Sequence, residues 1–164
     1  MIRSLWPAPA EPDVGRHYDR VASRYDSRFG LWRELVGAGA WAHLEGLLRE
    51  CVRDGARVLD AGTGTGAAVE KLLATARPGS VVGVDLSKGM LRVARRKVKD
   101  PRVAFEVQDI TCLPYPDRSF DVVLSTWVLE TLADPRQAVH EFLRLIKDDG
   151  YVIYAFSSRP AAGL

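Results

Sequence analysis

Cysteine is scarce in this chain, and its two thiols lie far apart. Cys51 and Cys112 form no CxxC pair and show no metal-ligand spacing. Neither a disulfide framework nor a zinc site is therefore expected, and the thiols are expected reduced, as in a cytoplasm. Long apolar runs are missing too, and no stretch approaches the length of a membrane span. Charge of one sign is lacking: 23 Lys and Arg against 21 Asp and Glu leave only +2. That excess is too small to point to nucleic acid or a membrane surface as partner. Residues 1–12 carry one arginine and several prolines but no apolar core, so they do not read as a signal peptide. They are expected to form a loose arm over 1–13. Repeats are absent, and the one biased patch is the Ala/Gly run 36–42. What is present is 164 residues, 47% of them hydrophobic, enough for one soluble domain over 14–164 with a real core.

The stretch that organises this domain is Arg57-Val58-Leu59-Asp60-Ala61-Gly62-Thr63-Gly64-Thr65-Gly66-Ala67. A short β-branched run ends in a carboxylate, breaks into spaced glycines, and passes into a segment with apolar positions at helical spacing. Strand, glycine turn and helix in succession make a ligand cradle, because the free N–H groups and positive dipole end of the helix face the turn. Upstream, two helices are expected within residues 14–55. The first spans 14–26, with Tyr18, Val21, Ala22 and Tyr25 on one face; the second spans 31–52, with Trp41, Leu44, Leu47, Leu48 and Val52 on its apolar side. The first is read as lying across the cradle and helping to close it.

Downstream, strand and helix alternate over 56–157. Strands are expected at 80–85, 103–107, 120–125 and 151–156, with Ser87 and Asp134 capping the helices that follow the second and fourth strands. The last of these helices is expected to carry Ile146 inward and to close near Asp149-Gly150. The pattern predicts an α/β fold, a Rossmann-like doubly wound sheet of five parallel strands with helices on both faces and a crevice at the strand C-termini. Asp60, Gly62, Asp85, Asp109 and Ser125 all fall at or just beyond those ends. Asp85 follows the glycine turn by about twenty residues, the spacing at which a carboxylate meets ribose hydroxyls. Asp109 is placed to accept from the amine of a base, with Leu86, Met90 and Ile110 as apolar walls. Asp117 and Asp121 read as solvated acids, and Arg92, Arg95, Arg96 and Lys99 as the outer face of a helix.

Four motifs in order, Asp60 to Gly66, Val84 to Leu91, Gln108-Asp109-Ile110 and Ser119 to Val123, resemble the signatures of class I S-adenosylmethionine-dependent methyltransferases. The segment Tyr18 to Asp26 is similar to the small-molecule branch, which includes quinone-biosynthesis and phospholipid methyltransferases. The resemblance implies S-adenosyl-L-methionine as cofactor and methyl transfer to a small-molecule acceptor. It implies a cofactor site made of Asp60, Gly62, Thr63, Gly64, Gly66, Asp85, Leu86, Met90, Asp109, Ile110 and Ser125, with Tyr18 and Tyr25, and it places Thr126 and Trp127 beside the acceptor. An activated methyl needs alignment more than acid–base help, and no nucleophile–base set is seen; Glu130 and His17 are the candidates for a base. Two departures stand out: Thr131 takes a position where many relatives carry histidine, and the usual C-terminal antiparallel strands are not expected. The open edge of the fifth strand is then expected to pair with a second copy. Two other readings stay open, a nicotinamide oxidoreductase sharing the looser glycine fingerprint and a module that binds the cofactor without turnover. The turn after the fourth strand is unlike that of base-amine methylators, so nucleic acid is not expected as substrate.

Overall fold

The computed structural model describes residues 14–35 and 38–155, with the backbone alone for 28–35. The arm expected over 1–13 and the residues after 155 lie outside the described residues. Five strands form one parallel sheet in the order β3-β2-β1-β4-β5. They are β1 (Arg57–Ala61), β2 (Ser80–Asp85), β3 (Val103–Val107), β4 (Phe120–Thr126) and β5 (Ile146–Ala155). The helices are α1 (Val14–Leu35), α2 (Ala38–Cys51), α3 (Ala67–Thr75), α4 (Lys88–Lys97) and α5 (Pro135–Leu145), with a 3-10 turn at Leu129–Thr131. This is the doubly wound sheet expected from the alternation of strand and helix.

Burial on both faces explains the continuous apolar character of the central strands. Val58, Val81, Val122 and Leu124 pack on one side with Trp41, Leu44, Leu48, Val69 and Leu72 of α2 and α3. Leu59, Val84, Phe120 and Val123 pack on the other with Ala138, Phe142 and Leu145 of α5. Both expected caps form: Ser87 Oγ accepts from the Met90 N–H, and the Asp134 carboxylate from the Arg136 N–H. No helix among the described residues is long and apolar enough to cross a membrane.

Several boundaries differ from expectation. α1 continues nine residues past Asp26, and α2 starts only at Ala38. Ser27, expected to lie between the helices, instead donates its hydroxyl back to the Arg24 carbonyl at 2.9 Å, a bond made within a continuing helix. A lone Gly30 costs about 1 kcal/mol there and does not stop it. β5 begins at Ile146, directly after α5, rather than at Tyr151. Phe120 pairs with Ile146 and Val122 with Tyr151, so residues 147–150 bulge opposite Asp121. That carboxylate takes Lys147 Nζ at 2.7 Å and the Arg57 N–H at 2.8 Å, anchoring the bulge to β1. Among the described residues β5 pairs only with β4 and lies at the edge of the sheet, and Tyr151 and Tyr154 are exposed along it.

Arg144 of α5 holds the long connection between β3 and β4. Its guanidinium donates to the carbonyls of Leu113 (3.1 Å) and Tyr115 (2.8 Å), to Glu141, and to Asp117 (2.7 Å). Arg144→Ala is expected to lower the unfolding free energy by about 1–2 kcal/mol, because two carbonyls and a half-buried carboxylate lose their donor. Urea denaturation at neutral pH checks this.

Candidate active site

The C-terminal ends of β1, β2 and β4 open into a cleft roofed by α1. It takes in about 800 Å³ of space, open mouth included. Tyr18 and Tyr25 line it from α1, Trp41 from α2, residues 62–65 from the glycine turn, Asp85, Leu86 and Met90 from the β2–α4 junction, and Ile110 from beyond β3. Thr126, Trp127, Val128, Thr131 and Leu132 form the wall after β4.

The glycine turn owes its shape to left-handed backbone at Gly62 and Gly64, with φ of 79° and 53°. The N–H groups of Gly62 and Thr63 both donate to the Val84 carbonyl at 2.9 Å, tying the turn to β2. A Cβ on Gly62 would lie 2.3 Å from Val128 Cγ2, so only hydrogen fits beneath that side chain. A Cβ on Gly64 would meet nothing within 4 Å. Both glycines line the cleft, but only Gly64 has open space where a side chain would stand.

Asp85 stands beside Gly64. Its Oδ2 accepts from the Gly64 N–H at 2.9 Å and its Oδ1 from the Ser87 N–H at 2.8 Å. Each carboxylate oxygen keeps a second acceptor site for a ligand hydroxyl. Burial raises its pKa above the ordinary value, against the two backbone donors that lower it. Tyr25 is held protonated, its pKa raised by burial and then by Tyr18, Asp85, Asp26 and Glu130 around it. Tyr18 and Tyr25 meet edge to face, with ring centroids 6.2 Å apart.

On the far wall Trp127 has φ of 55°, a conformation that costs a tryptophan about 1–3 kcal/mol. Its backbone N–H donates to the Ala155 carbonyl at 2.7 Å, and its ring lies 5.1 Å from that of Trp41, tilted by 35°. Trp41 is itself buried, at 6% exposure, so Trp127 presents the more open ring of the two. Trp41 reads from the sequence as core; nothing in its helical spacing reveals that its ring also reaches the cleft.

Not every residue expected at the site reaches the cleft wall. Asp60 is fully buried below the turn, where Thr63 Oγ1 donates to its Oδ2 at 2.6 Å. Its other oxygen has no hydrogen-bond partner among the described residues, and burial pushes its pKa up to about 7. Ser125 is also buried and donates to the Ala61 carbonyl at 2.9 Å, joining β4 to β1. Gly66 lies behind the wall, where a Cβ would touch Ala94 at 3.3 Å. Asp109 is exposed, and its Oδ1 is engaged locally by the N–H and hydroxyl of Thr111; only its neighbour Ile110 lines the cleft. His17 packs edge-on against Tyr18 without lining the cleft. Glu130 is exposed on the 3-10 turn, near enough to act on Tyr25.

Residues 59–154 match the family model described as a methyltransferase domain. The demethylmenaquinone methyltransferase of Symbiobacterium thermophilum is 32% identical over 94% of this chain, which spans 63% of that protein. Among solved structures, an S-adenosylmethionine-dependent methyltransferase from Mesorhizobium loti is 26% identical with a TM-score of 0.62, over 70% of this chain and 51% of that one. A phosphoethanolamine N-methyltransferase from Haemonchus contortus, solved with S-adenosylhomocysteine, is 30% identical with a TM-score of 0.63, over 70% of this chain and 28% of that one. The present chain thus spans about three fifths of the curated relative, about half of one solved chain and less than a third of the other. The match over the whole sheet, with the glycine turn and Asp85 at its centre, settles the lineage. The chain belongs to the class I S-adenosylmethionine-dependent methyltransferases.

Proposed function

We propose that this cleft binds S-adenosylmethionine and that the chain directs methyl transfer to a planar small molecule of the quinone type. The observation that carries the reading is the meeting, around one cleft, of bare glycine backbone at Gly64, the two-sided acceptor Asp85 and the apolar side chains of Leu86, Met90 and Ile110. This donor and acceptor set fits an adenosyl ligand: Asp85 takes the ribose hydroxyls, the three apolar side chains bracket the adenine, and the glycine turn carries the amino-acid end. Asp60, Gly66 and Ser125 act from behind by fixing the turn and β4, and Asp109 stands at the adenine end. When bound, S-adenosylmethionine supplies a methyl group already activated on sulfur.

The rest falls to the chain's own residues. Thr126, Trp127 and Trp41 orient a flat acceptor, and the roof of Tyr18 and Tyr25 excludes water. The quinone-type acceptor rests on the similarity to a demethylmenaquinone methyltransferase and on the Trp127 ring in the cleft wall. Neither Glu130, exposed on the 3-10 turn, nor His17 lines the cleft, so this reading gives neither of them the role of base.

Titration calorimetry with S-adenosylhomocysteine and with NAD tests the cofactor, and transfer of labelled methyl to a demethylated naphthoquinol tests the acceptor. Binding of the former ligand alone, followed by label in the acceptor, is expected. Preference for NAD overturns the proposal, and binding without transfer to any planar acceptor reduces the chain to a binding module.

A further inference from the structure

Two carboxylates on α1 reach opposite halves of the cradle. Asp19 Oδ1 accepts from Ser87 Oγ and from the Gly89 N–H, both at 2.6 Å. Asp26 Oδ1 accepts from Thr65 Oγ1 at 2.5 Å, and its Oδ2 lies 3.0 Å from Lys97 Nζ. Gly89 is near the start of α4 and Lys97 is its last residue, so α1 and α4 run side by side in the same direction. The two acids fasten the two ends of that contact. Their backbones come close: a Cβ on Gly89 would lie 3.1 Å from Asp19 Cα.

What the acids hold is the frame of the site. Ser87 caps α4 through its hydroxyl and donates its own N–H to Asp85, whose other oxygen holds the Gly64 N–H. Thr65 is the next residue of the same turn. Both fastenings thus end on groups that shape the cradle, while Tyr18 and Tyr25, on the adjoining face of α1, roof it. A surface packing helix would need neither acid to end there.

We propose that Asp19 and Asp26 are positioning residues that latch α1 over the cradle and so set how long an adenosyl ligand stays bound. This rests on the cofactor reading above. Dissociation of S-adenosylhomocysteine from the full chain, followed by stopped flow, provides the test. Asp19→Ala and Asp26→Ala are each expected to raise the dissociation rate about tenfold, the loss of one or two charge-assisted bonds. Asp19→Asn keeps an acceptor oxygen and is expected to return the rate to within about threefold of wild type.

Amide exchange in the ligand-free protein separates a latch from general destabilisation. Exchange over residues 14–27 quickens in Asp19→Ala, with β1 and β4 unchanged. Dissociation rates within about twofold of wild type in both alanine variants, less than one lost bond would give, overturn the latch alone. So does faster exchange throughout the sheet. A wild-type chain that fails to bind the ligand overturns the cofactor reading and the latch with it.

Discussion

Replacing Asp85 with alanine is expected to weaken S-adenosylhomocysteine binding about a hundredfold, the largest single loss available in this cleft. Hydrogen bonds to a charged acceptor contribute about 1.5–3 kcal/mol each, and two ribose hydroxyls bring the total near 3 kcal/mol, or about two decades in affinity. Asp85→Asn should do no better. Both carboxylate oxygens already receive a backbone N–H, from Gly64 and Ser87, so an amide NH2 on either side faces a donor with a donor. The asparagine variant therefore loses the ligand and also loosens the turn from the β2–α4 junction. Calorimetry on both variants checks this. An asparagine variant that binds within about threefold of wild type would mean that charge and double acceptance at this position are dispensable.

That Asp85 reaches the cleft was legible in the sequence because its signal is a spacing, and the distance from the glycine turn to the end of the next strand is fixed by the βαβ unit. The caps Ser87 and Asp134 were legible for a similar local reason. What the sequence hides is which way a strand-end residue faces. Asp60 lies at the end of β1 as expected, yet it shares the face of Val58, two residues back, and sits fully buried beneath the turn. Ser125 is likewise spent on the sheet, bonded to the Ala61 carbonyl. Asp109 is captured by Thr111 two residues on, a competition that its place after β3 does not reveal. Trp41, Asp19 and Asp26 were invisible as site residues because they arrive from helices far away in the chain. Their positions depend on how α1 and α2 pack, and helical periodicity names a face without naming what it covers.

Asp60→Asn is expected to make the ligand-free protein more stable than wild type at pH 8, by about 2 kcal/mol, and no more stable at pH 5. Burial pushes the Asp60 carboxyl up to about 7 from 3.8, with Thr63 opposing and the nearby Asp85 adding to the rise. A carboxyl whose folded pKa is raised favours the folded state below its unfolded value and loses that contribution as pH climbs through the folded one. The wild-type cost thus grows between about pH 4 and 7 and is complete at pH 8, where a rise from 3.8 to about 7 corresponds to about 4 kcal/mol. Asparagine removes the charge but places an NH2 where Oδ1 now lacks a partner among the described residues, returning about 1–3 kcal/mol of the gain. Asp85, also raised, adds a slope of the same sign that the variant keeps. Asp19, Asp100, Asp121, Asp134 and Asp149 are lowered, so their contributions are lost only at more acid pH and leave this window clear. Urea denaturation at pH 5 and pH 8 measures the difference. Parallel pH dependence in the two proteins would show that Asp60 does not titrate here. A steeper slope in wild type identifies a buried acid, directly beneath the turn, kept at a cost to stability.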